Sequence, residues 1–261
     1  MKIDKFNLIL SGGAALGYAH IGVLEYLYQQ NLKPTTLHGV SMGAIVASIE
    51  ALNLEYSKKM SLFEDVFTSL KWVRLGFFKS LISTQKIEDI LLDIFQDKRF
   101  NDLEKELNIC ATNYHSGKQV IFNKENNIKV VDAILASMAV PGLFPPRLID
   151  NTYFVDGYLS ANLPLSSVNN NYLNIVVNVT GKNSFKKLSV KKIAQLNLLN
   201  HLERSIRELI YNQTTKDLEC FNKDYILIEP HLEKFKTFHF LKYKKIKQKG
   251  FKEAKKVLES L

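Results

Sequence analysis

The stretch Phe6–Gly17 reads Phe-Asn-Leu-Ile-Leu-Ser-Gly-Gly-Ala-Ala-Leu-Gly and predicts a buried strand followed directly by a glycine-rich turn. The next residues, 18–30, predict a helix because Ile21, Leu24 and Leu27 recur at helical spacing. Further along the chain, short apolar strands continue to alternate with helices, a pattern typical of parallel strand pairing. The sequence therefore predicts an α/β protein with a layered core.

The rest of the chain contains no internal repeat and no obvious linker. We therefore expect one domain over residues 1–261, with its core at 6–180 and a helical, basic C-terminal segment at 185–261. Further helices are expected within 55–105, at 130–139, within 190–220 and at 251–261, and strands at 107–112, 118–122, 153–155, 172–179 and 225–228.

The charge of the chain is concentrated near its C-terminus. In total, 35 Lys and Arg residues against 26 Asp and Glu residues give a formal net charge of +9. Residues 231–261 alone hold ten lysines and three glutamates. The hydrophobic content of 46% is that of a globular protein and excludes disordered and collagen-like chains. Because the basicity belongs to one segment, we expect no nucleic-acid partner.

Cysteines and apolar runs indicate the compartment. Cys110 and Cys220 cannot build a disulfide framework, and neither lies in a cluster of metal-ligand type. The N-terminal strand is too short for a secretion signal, and no apolar run reaches the ~18 residues of a membrane span. The longest run, Ala133–Phe144, is interrupted by Pro141 and Gly142. We expect a soluble, cytoplasmic protein with free thiols.

The segment Gly39-Val40-Ser41-Met42-Gly43 is a G-x-S-x-G motif between a predicted strand and a predicted helix. A sharp strand-to-helix turn of this kind exposes the serine hydroxyl, and small residues at the flanking positions avoid steric clashes. The next helix begins beneath the serine, and its N-terminus attracts developing negative charge. This context predicts a nucleophilic Ser41, with a simple helix cap as the alternative.

The glycine-rich turn at residues 11–17 allows two interpretations. A dinucleotide-binding fingerprint requires a glycine where the chain has Ala14, and an acidic residue after the second strand, which is missing. The alternative is an oxyanion hole, in which glycines let successive backbone amides converge on one point. We favour the oxyanion hole, because this turn opens the first helix at the same sheet edge as Ser41.

Two kinds of residue can serve as the base that a serine nucleophile needs. His201, His231 and His239 are available by chain order, but none has motif-like surroundings. Asp156 ends an apolar strand and is followed by Gly157. An acid at the tip of a buried strand is costly unless it is hydrogen-bonded or functional, and partial burial raises its pKa toward that of a useful base. We favour Asp156.

These features, in this order, resemble the patatin-like phospholipase family. The matching stretches are Ser11–Leu24, Gly39–Gly43, Ala136–Pro146 with the Val155-Asp156-Gly157 strand end, and Asn162–Pro164. The resemblance covers about residues 6–180. It implies a three-layer fold with a mostly parallel central sheet and helices on both faces.

The resemblance also implies the roles of the site residues. Carried over by position, Ser41 is the nucleophile, Asp156 is the base, and Gly12, Gly13 and Ala14 supply the oxyanion donors. The elbow glycines are Gly39 and Gly43. No metal or cofactor is required by this chemistry.

Three positions depart from the family pattern. Ala14 replaces a usual glycine, Leu16 replaces a usual Arg or Lys, and Tyr158 replaces a residue that is more often small. These departures bear on efficiency and substrate choice more than on the type of reaction.

The implied reaction is hydrolysis of lipid acyl esters through an acyl-serine intermediate. Two alternatives remain open at this point: acyl transfer to an alcohol on the same dyad, and a catalytically weak lipid-binding protein, which the departures at Ala14 and Leu16 favour.

Two segments suggest contact with lipid. The aromatic residues Trp72, Phe77 and Phe78 alternate with cations and are typical of an acyl-chain or interfacial surface, or of an ordinary packed helix. A loop before the final helix is expected to carry a patch that attracts anionic membranes and places the protein peripherally at a membrane. Its residues are Lys242, Lys244, Lys245, Lys247 and Lys249.

Overall fold

The computed structural model describes residues 5–70, 80–185 and 197–261. Its strands are β1 (Phe6–Leu10), β2 (Thr36–Val40), β3 (Glu106–Asn113), β4 (Gln119–Phe122), β5 (Arg147–Ile149), β6 (Thr152–Asp156), β7 (Leu173–Val177) and β8 (Tyr225–Ile228). Its helices are α1 (Tyr18–Gln29), α2 (Met42–Glu50), α3 (Tyr56–Leu70), α4 (Ser80–Phe95), α5 (Val130–Ser137), α6 (Leu198–Glu219) and α7 (Tyr243–Leu258). The described strands and most helices lie where the sequence predicts them.

The strands form one sheet in the order β5-β6-β3-β2-β1-β7-β8, with β4 paired to β3. Five neighbouring strands, β3, β2, β1, β7 and β8, run parallel. The pairings of β3 with β4 and β6, and of β5 with β6, are antiparallel. Helices cover both faces of the sheet, so the predicted fold class is confirmed.

Strand pairing brings the two sequence motifs together. Because β1 and β2 are parallel neighbours, with Leu10 paired to Gly39, the turns that follow them leave the same edge of the sheet. Every residue of β1 and β2 is buried, as are all residues of α2. Continuous burial on both faces is typical of a central parallel strand and fixes these turns on a rigid support.

The final helix differs from the one predicted at 251–261. It begins at Tyr243 and ends at Leu258, and it packs against α1. Gly250 appears in the sequence as a break, but it lies inside the helix, where an added Cβ would come within 1.9 Å of the Ala19 carbonyl oxygen. On the facing helix, a Cβ on Gly22 would come equally close to the Lys247 carbonyl. These glycines therefore permit contact between the two backbones.

This boundary changes the setting of the predicted lysine patch. Four of its five lysines lie on α7 rather than in a loop, and Lys242 immediately precedes that helix. Lys247 forms an ion pair with Glu25 at 3.3 Å, whereas Lys244 and Lys245 are exposed. The expected membrane contact of this patch therefore stays a prediction.

None of the described helices has the combination of length and apolar character needed to cross a bilayer.

Candidate active site

Ser41 occupies a strained turn between β2 and α2. Its backbone angles are φ 54° and ψ −120°, outside the regions that non-glycine residues normally adopt. The flanking glycines make this turn possible: a Cβ on Gly39 would lie 2.6 Å from the Gly43 carbonyl oxygen, and one on Gly43 would lie 2.3 Å from that of Leu10. The geometry is that expected for the G-x-S-x-G motif, with the N-terminus of α2 directly after the serine.

Ser137, at the end of α5, anchors this turn through two hydrogen bonds. Its Oγ accepts a hydrogen bond from the Ser41 amide at 2.8 Å and donates one to the Cys110 carbonyl at 2.6 Å. A single serine therefore ties the elbow to β3 from a position almost a hundred residues away in sequence. Sequence reasoning missed this contact because an ordinary serine at a helix end carries no motif.

Asp156 ends β6 and lines the same cavity as Ser41. Its backbone is fixed by two hydrogen bonds, from its amide to the Ala139 carbonyl and from Thr112 Oγ1 to its own carbonyl, both at 3.0 Å. The next residue must be small, because a Cβ on Gly157 would lie 2.5 Å from the Cys110 carbonyl oxygen. Packing thus explains the Asp-Gly pair.

The carboxyl group of Asp156 is completely buried, and this burial raises its pKa to about 7. Two donors oppose the rise, the Ser41 hydroxyl and the Tyr158 amide, which donates to Oδ1 at 3.0 Å. Oδ2 makes no hydrogen bond of normal geometry with any described residue. Hydrogen bonds at active sites are often long when no ligand is bound. The carboxyl is therefore placed to exchange a proton near neutral pH.

Two residues of the glycine-rich turn, Gly13 and Ala14, lie at the same cavity. The Gly12 amide, expected to be an oxyanion donor, already donates to the Asn162 carbonyl at 3.3 Å. The absence of a side chain at Gly12 instead leaves space beside Ser41, since an added Cβ would lie 3.3 Å from Ser41 Cβ. The amides of Gly13 and Ala14 make no hydrogen bond to any residue in the described ranges, and both residues line the cavity. Ala14 adopts a φ of 45°, which favours glycine.

The cavity has a volume of about 200 Å³ and a mostly apolar wall. Besides the residues already described, its lining includes Val140, Pro141, Leu143, Ile206, Ile210 and Phe238. A smaller apolar space of about 40 Å³ also reaches Ser41 and is closed by Met138, Phe144 and Phe240. A flexible apolar group therefore fits beside the serine.

The histidines considered as bases lie elsewhere. None of His201, His231 and His239 is among the residues that line the cavity. His231 is 3.9 Å from Glu253. His20 is buried nearer the site, but its Nε2 lies 2.8 Å from the Ser11 carbonyl, and burial lowers its pKa to about 4.

Two further sets of predicted residues can be located. Leu16 is buried in the hydrophobic core, while the Tyr158 side chain lines the cavity and its amide anchors Asp156. Any residue at position 158 would supply the backbone amide that donates to Asp156. The tyrosine found here in place of a small residue therefore changes only the wall of the cavity. The predicted aromatic surface, Trp72, Phe77 and Phe78, lies outside the described residues.

Comparisons with known proteins identify the family of the chain. The model of the family described as patatin-like phospholipase matches residues 8–168. Over 187 residues the chain is 29% identical to the cGAMP-activated phospholipase of Escherichia coli, covering 60% of this chain and 52% of that protein. It is 24% identical over 273 residues to triacylglycerol lipase 5 of Saccharomyces cerevisiae, covering 86% and 36% of the two chains.

A solved structure shares the fold. VipD from Legionella pneumophila superposes with a TM-score of 0.59 at 14% identity, over 100% of this chain and 67% of that one. The chain spans at most 60% of the length of the curated relatives named here and of similar ones from a mimivirus and from mycobacteria. Because the family model covers more than half of its residues, the chain belongs to the patatin-like phospholipase family.

Proposed function

We propose that this protein hydrolyses acyl esters of lipids, with Ser41 as nucleophile and Asp156 as the only base. The proposal rests on one observation: a serine in a strained turn and a buried carboxyl, whose pKa is raised to about 7, line the same apolar cavity. A carboxylate with this pKa is a much better proton acceptor than an ordinary aspartate, and it remains ionised in part at neutral pH.

The proposed reaction begins when Asp156 takes the proton of the Ser41 hydroxyl and the oxygen attacks the ester carbonyl. The amides of Gly13 and Ala14 bind the resulting oxyanion, and the positive end of α2 adds to this stabilisation. The tetrahedral intermediate expels the alcohol, which receives the proton from Asp156. Water then loses a proton to Asp156, attacks the acyl-serine, and releases the fatty acid as the serine recovers its proton.

The cavity wall supports a substrate that carries an anionic group near the ester. Arg207 of α6 lines the cavity, donates from Nη2 to the Ser184 carbonyl, and stacks on Phe185 at 5.2 Å. Its Nε is buried and makes no hydrogen bond with a described residue. The positive charge of this guanidinium attracts a lipid phosphate in the cavity, whereas a neutral acylglycerol carries no charge for it to attract. We therefore propose phospholipids and lysophospholipids as the preferred substrates.

A panel of lysophospholipids, diacyl phospholipids and acylglycerols tests this proposal. We expect Ser41→Ala and Asp156→Asn each to lower turnover on the order of 10⁴-fold, as removal of a catalytic pair does in serine hydrolases. Asp150→Asn is the matched control, because it makes the same chemical change at an exposed turn. Substantial turnover in either dyad variant would overturn the assignment.

The same panel tests the choice of substrate. Arg207→Met should reduce the ratio of phospholipid to acylglycerol hydrolysis by roughly tenfold, the effect of one charge-assisted hydrogen bond. An unchanged ratio would contradict the role given to Arg207 while leaving the dyad intact.

A further inference from the structure

Helix α6 exposes a ridge of aliphatic side chains, which we call the leucine ridge. It consists of Leu198, Leu202, Ile206 and Leu209, exposed by 73%, 50%, 43% and 69%. At 100° per residue these positions fall within about 80° of the helix circumference. The opposite side of α6 is the one that packs inward, where Thr214 is fully buried. A contiguous apolar surface of this kind marks a binding site rather than ordinary surface variation.

The leucine ridge is continuous with the candidate active site. Ile206 belongs both to the ridge and to the wall of the cavity, and Ile210, one turn further on, also lines the cavity. An apolar path therefore runs from the outer face of α6 to Ser41. A ligand that covers the ridge would lie directly against the mouth of the cavity.

The facing rim of the cavity carries exposed cations. Thr237 and Phe238 line the cavity, and the same segment exposes Lys234, Lys236 and Lys242. These three lysines form no ion pair with a carboxylate in the described part of the chain.

A hydrogen bond ties this segment to α6. Lys236 Nζ donates to Asn200 Oδ1 of α6 at 2.8 Å, which joins the two rims. Leu241, next to Lys242, is 63% exposed and adds a further aliphatic side chain. Exposed aliphatic side chains beside cations that form no ion pair are complementary to a lipid bilayer, which has an apolar interior and anionic head groups.

We infer that the leucine ridge and the lysines of residues 234–242 form a surface that docks on an anionic phospholipid bilayer. The inference rests on the proposed function for the identity of the lipid that then enters the cavity. It places membrane contact on the rim of the site instead of on the lysines of α7. Both sets of lysines have carboxylates nearby: those of α7 share a groove with Glu25 and Glu64, and Lys234 and Lys236 share one with Glu203 and Glu233. The two sets differ in that Lys247 of α7 forms an ion pair with Glu25, and in that Lys234 and Lys236 lie beside the cavity that contains Ser41.

Vesicle co-sedimentation tests this surface independently of turnover when it is performed in a Ser41→Ala background. The vesicles are pure phosphatidylcholine, or phosphatidylcholine with 30% phosphatidylglycerol. We expect the chain to bind the anionic vesicles, and the combined change Leu198→Ser, Leu202→Ser and Leu209→Ser to weaken this binding by about 30–100-fold, because each exposed leucine would otherwise enter the interface. Ile206 is left unchanged because it lines the cavity.

Two charge variants separate the candidate surfaces. Lys234→Gln with Lys236→Gln should reduce the preference for anionic over neutral vesicles by roughly tenfold, since each lysine near such a surface contributes several-fold. The matched control, Lys244→Gln with Lys245→Gln, removes the same charge from α7 and should bind as the parent does. Thermal unfolding of every variant verifies that the fold is intact.

Three results would overturn the inference. They are absence of binding to anionic vesicles, full binding by the leucine-ridge variant, and equal loss of binding in the α7 control. A dimer that dissociates in the leucine-ridge variant would show that a second copy of the chain covers the ridge instead. Loss of ester hydrolysis by Asp156→Asn is measured separately, so failure of the docking surface and failure of the proposed function can be told apart.

Discussion

Helix α2 ends at one completely buried carboxyl group, that of Glu50, and begins after Ser41, which lines a cavity with a second, that of Asp156. The two carboxyl groups differ in whether cations lie beside them. At the C-terminal end, both oxygens of Glu50 accept from Tyr28 Oη at 3.0 Å, Lys105 Nζ lies 2.5 Å from Oε1, and Lys59 Nζ lies 3.4 Å away. At the N-terminal end, Asp156 faces Ser41 and one backbone amide, with no cation within ion-pair distance among the described residues.

The two carboxyl groups therefore differ in how the free-energy cost of their burial is met. Two lysines offset the cost of burying Glu50, and the lysines in turn depend on it, because Lys59 is itself buried and desolvation lowers its pKa. The cost of burying Asp156 is not offset in this way and is expressed as a raised pKa. The raised pKa of Asp156, which the proposed reaction uses, therefore lowers the free energy of unfolding.

Neutralising the stabilised carboxyl should have the largest effect on stability. We expect Glu50→Gln to lower the free energy of unfolding by about 3–5 kcal/mol, because it leaves Lys59 buried without its counter-charge. Denaturant unfolding monitored by circular dichroism measures the change. Glu88→Gln, in a partly exposed ion pair with Arg147, is the control and should cost about 1 kcal/mol or less. Equal losses would remove the contrast between the two ends.

Neutralising the other carboxyl, that of Asp156, should increase the stability of the protein instead of decreasing it. Burial raises the pKa of Asp156 from 3.8 to about 7, so the folded protein binds a proton more tightly than the unfolded chain, and stability falls as the pH rises between these values. Asp156→Asn abolishes this loss and should raise the free energy of unfolding by about 2–4 kcal/mol at pH 8.

The pH dependence of this gain identifies its source. The difference between Asp156→Asn and the unmutated protein should shrink as the pH is lowered from 8 to 4, in parallel denaturant titrations. A difference that is independent of pH, or a destabilised variant, would show that the buried charge is not the origin.

The same pKa should govern the proposed catalysis. Since the base must be ionised, kcat/KM should be constant above pH 7 and fall roughly tenfold per pH unit below it. Hydrolysis of a soluble ester from pH 5 to 9 gives the profile. Replacement of His201, His231 or His239 by Gln should leave the profile unchanged, because none lines the cavity. A profile that changes in one of these variants would restore the histidine triad.

Backbone strain at the active-site end should give the smallest effect. Ala14 adopts a φ of 45°, so Ala14→Gly should raise the free energy of unfolding by about 0.5–1 kcal/mol after the entropy of the added glycine is subtracted. The reverse change one residue earlier, Gly13→Ala, places a Cβ 2.5 Å from Val179 Cγ2 and should destabilise. Thermal unfolding measures the stability of both variants. Stability changes of the same sign in the two variants would show that backbone strain does not dominate at these positions.

Much of the fold and of the candidate site was predictable because it depends on local chemistry. Apolar runs predicted β1, β3 and β7, and the glycines at positions 39 and 43 predicted a sharp turn at Ser41 from steric constraints that act over a few residues. The Asp-Gly pair at 156–157 predicted a special strand end for the same reason. Helix α7 was predicted to begin eight residues too late, because Gly250 looks like a helix break in the sequence, whereas in the structure it permits close contact with Ala19.

The sequence by itself determined the α/β class and the family, and it pointed to Ser41 and Asp156 as candidate site residues, because hydrophobic periodicity and turn sterics are local properties. Tertiary structure alone decided that Ser137 supports the elbow, that the Gly12 amide donates to Asn162, and that no cation among the described residues lies within ion-pair distance of the Asp156 carboxyl. It also placed Ile206, which belongs to the exposed leucine ridge of α6, in the wall of the cavity. Burial and hydrogen bonding depend on segments far apart in the chain, and these set the pKa on which the proposed chemistry depends.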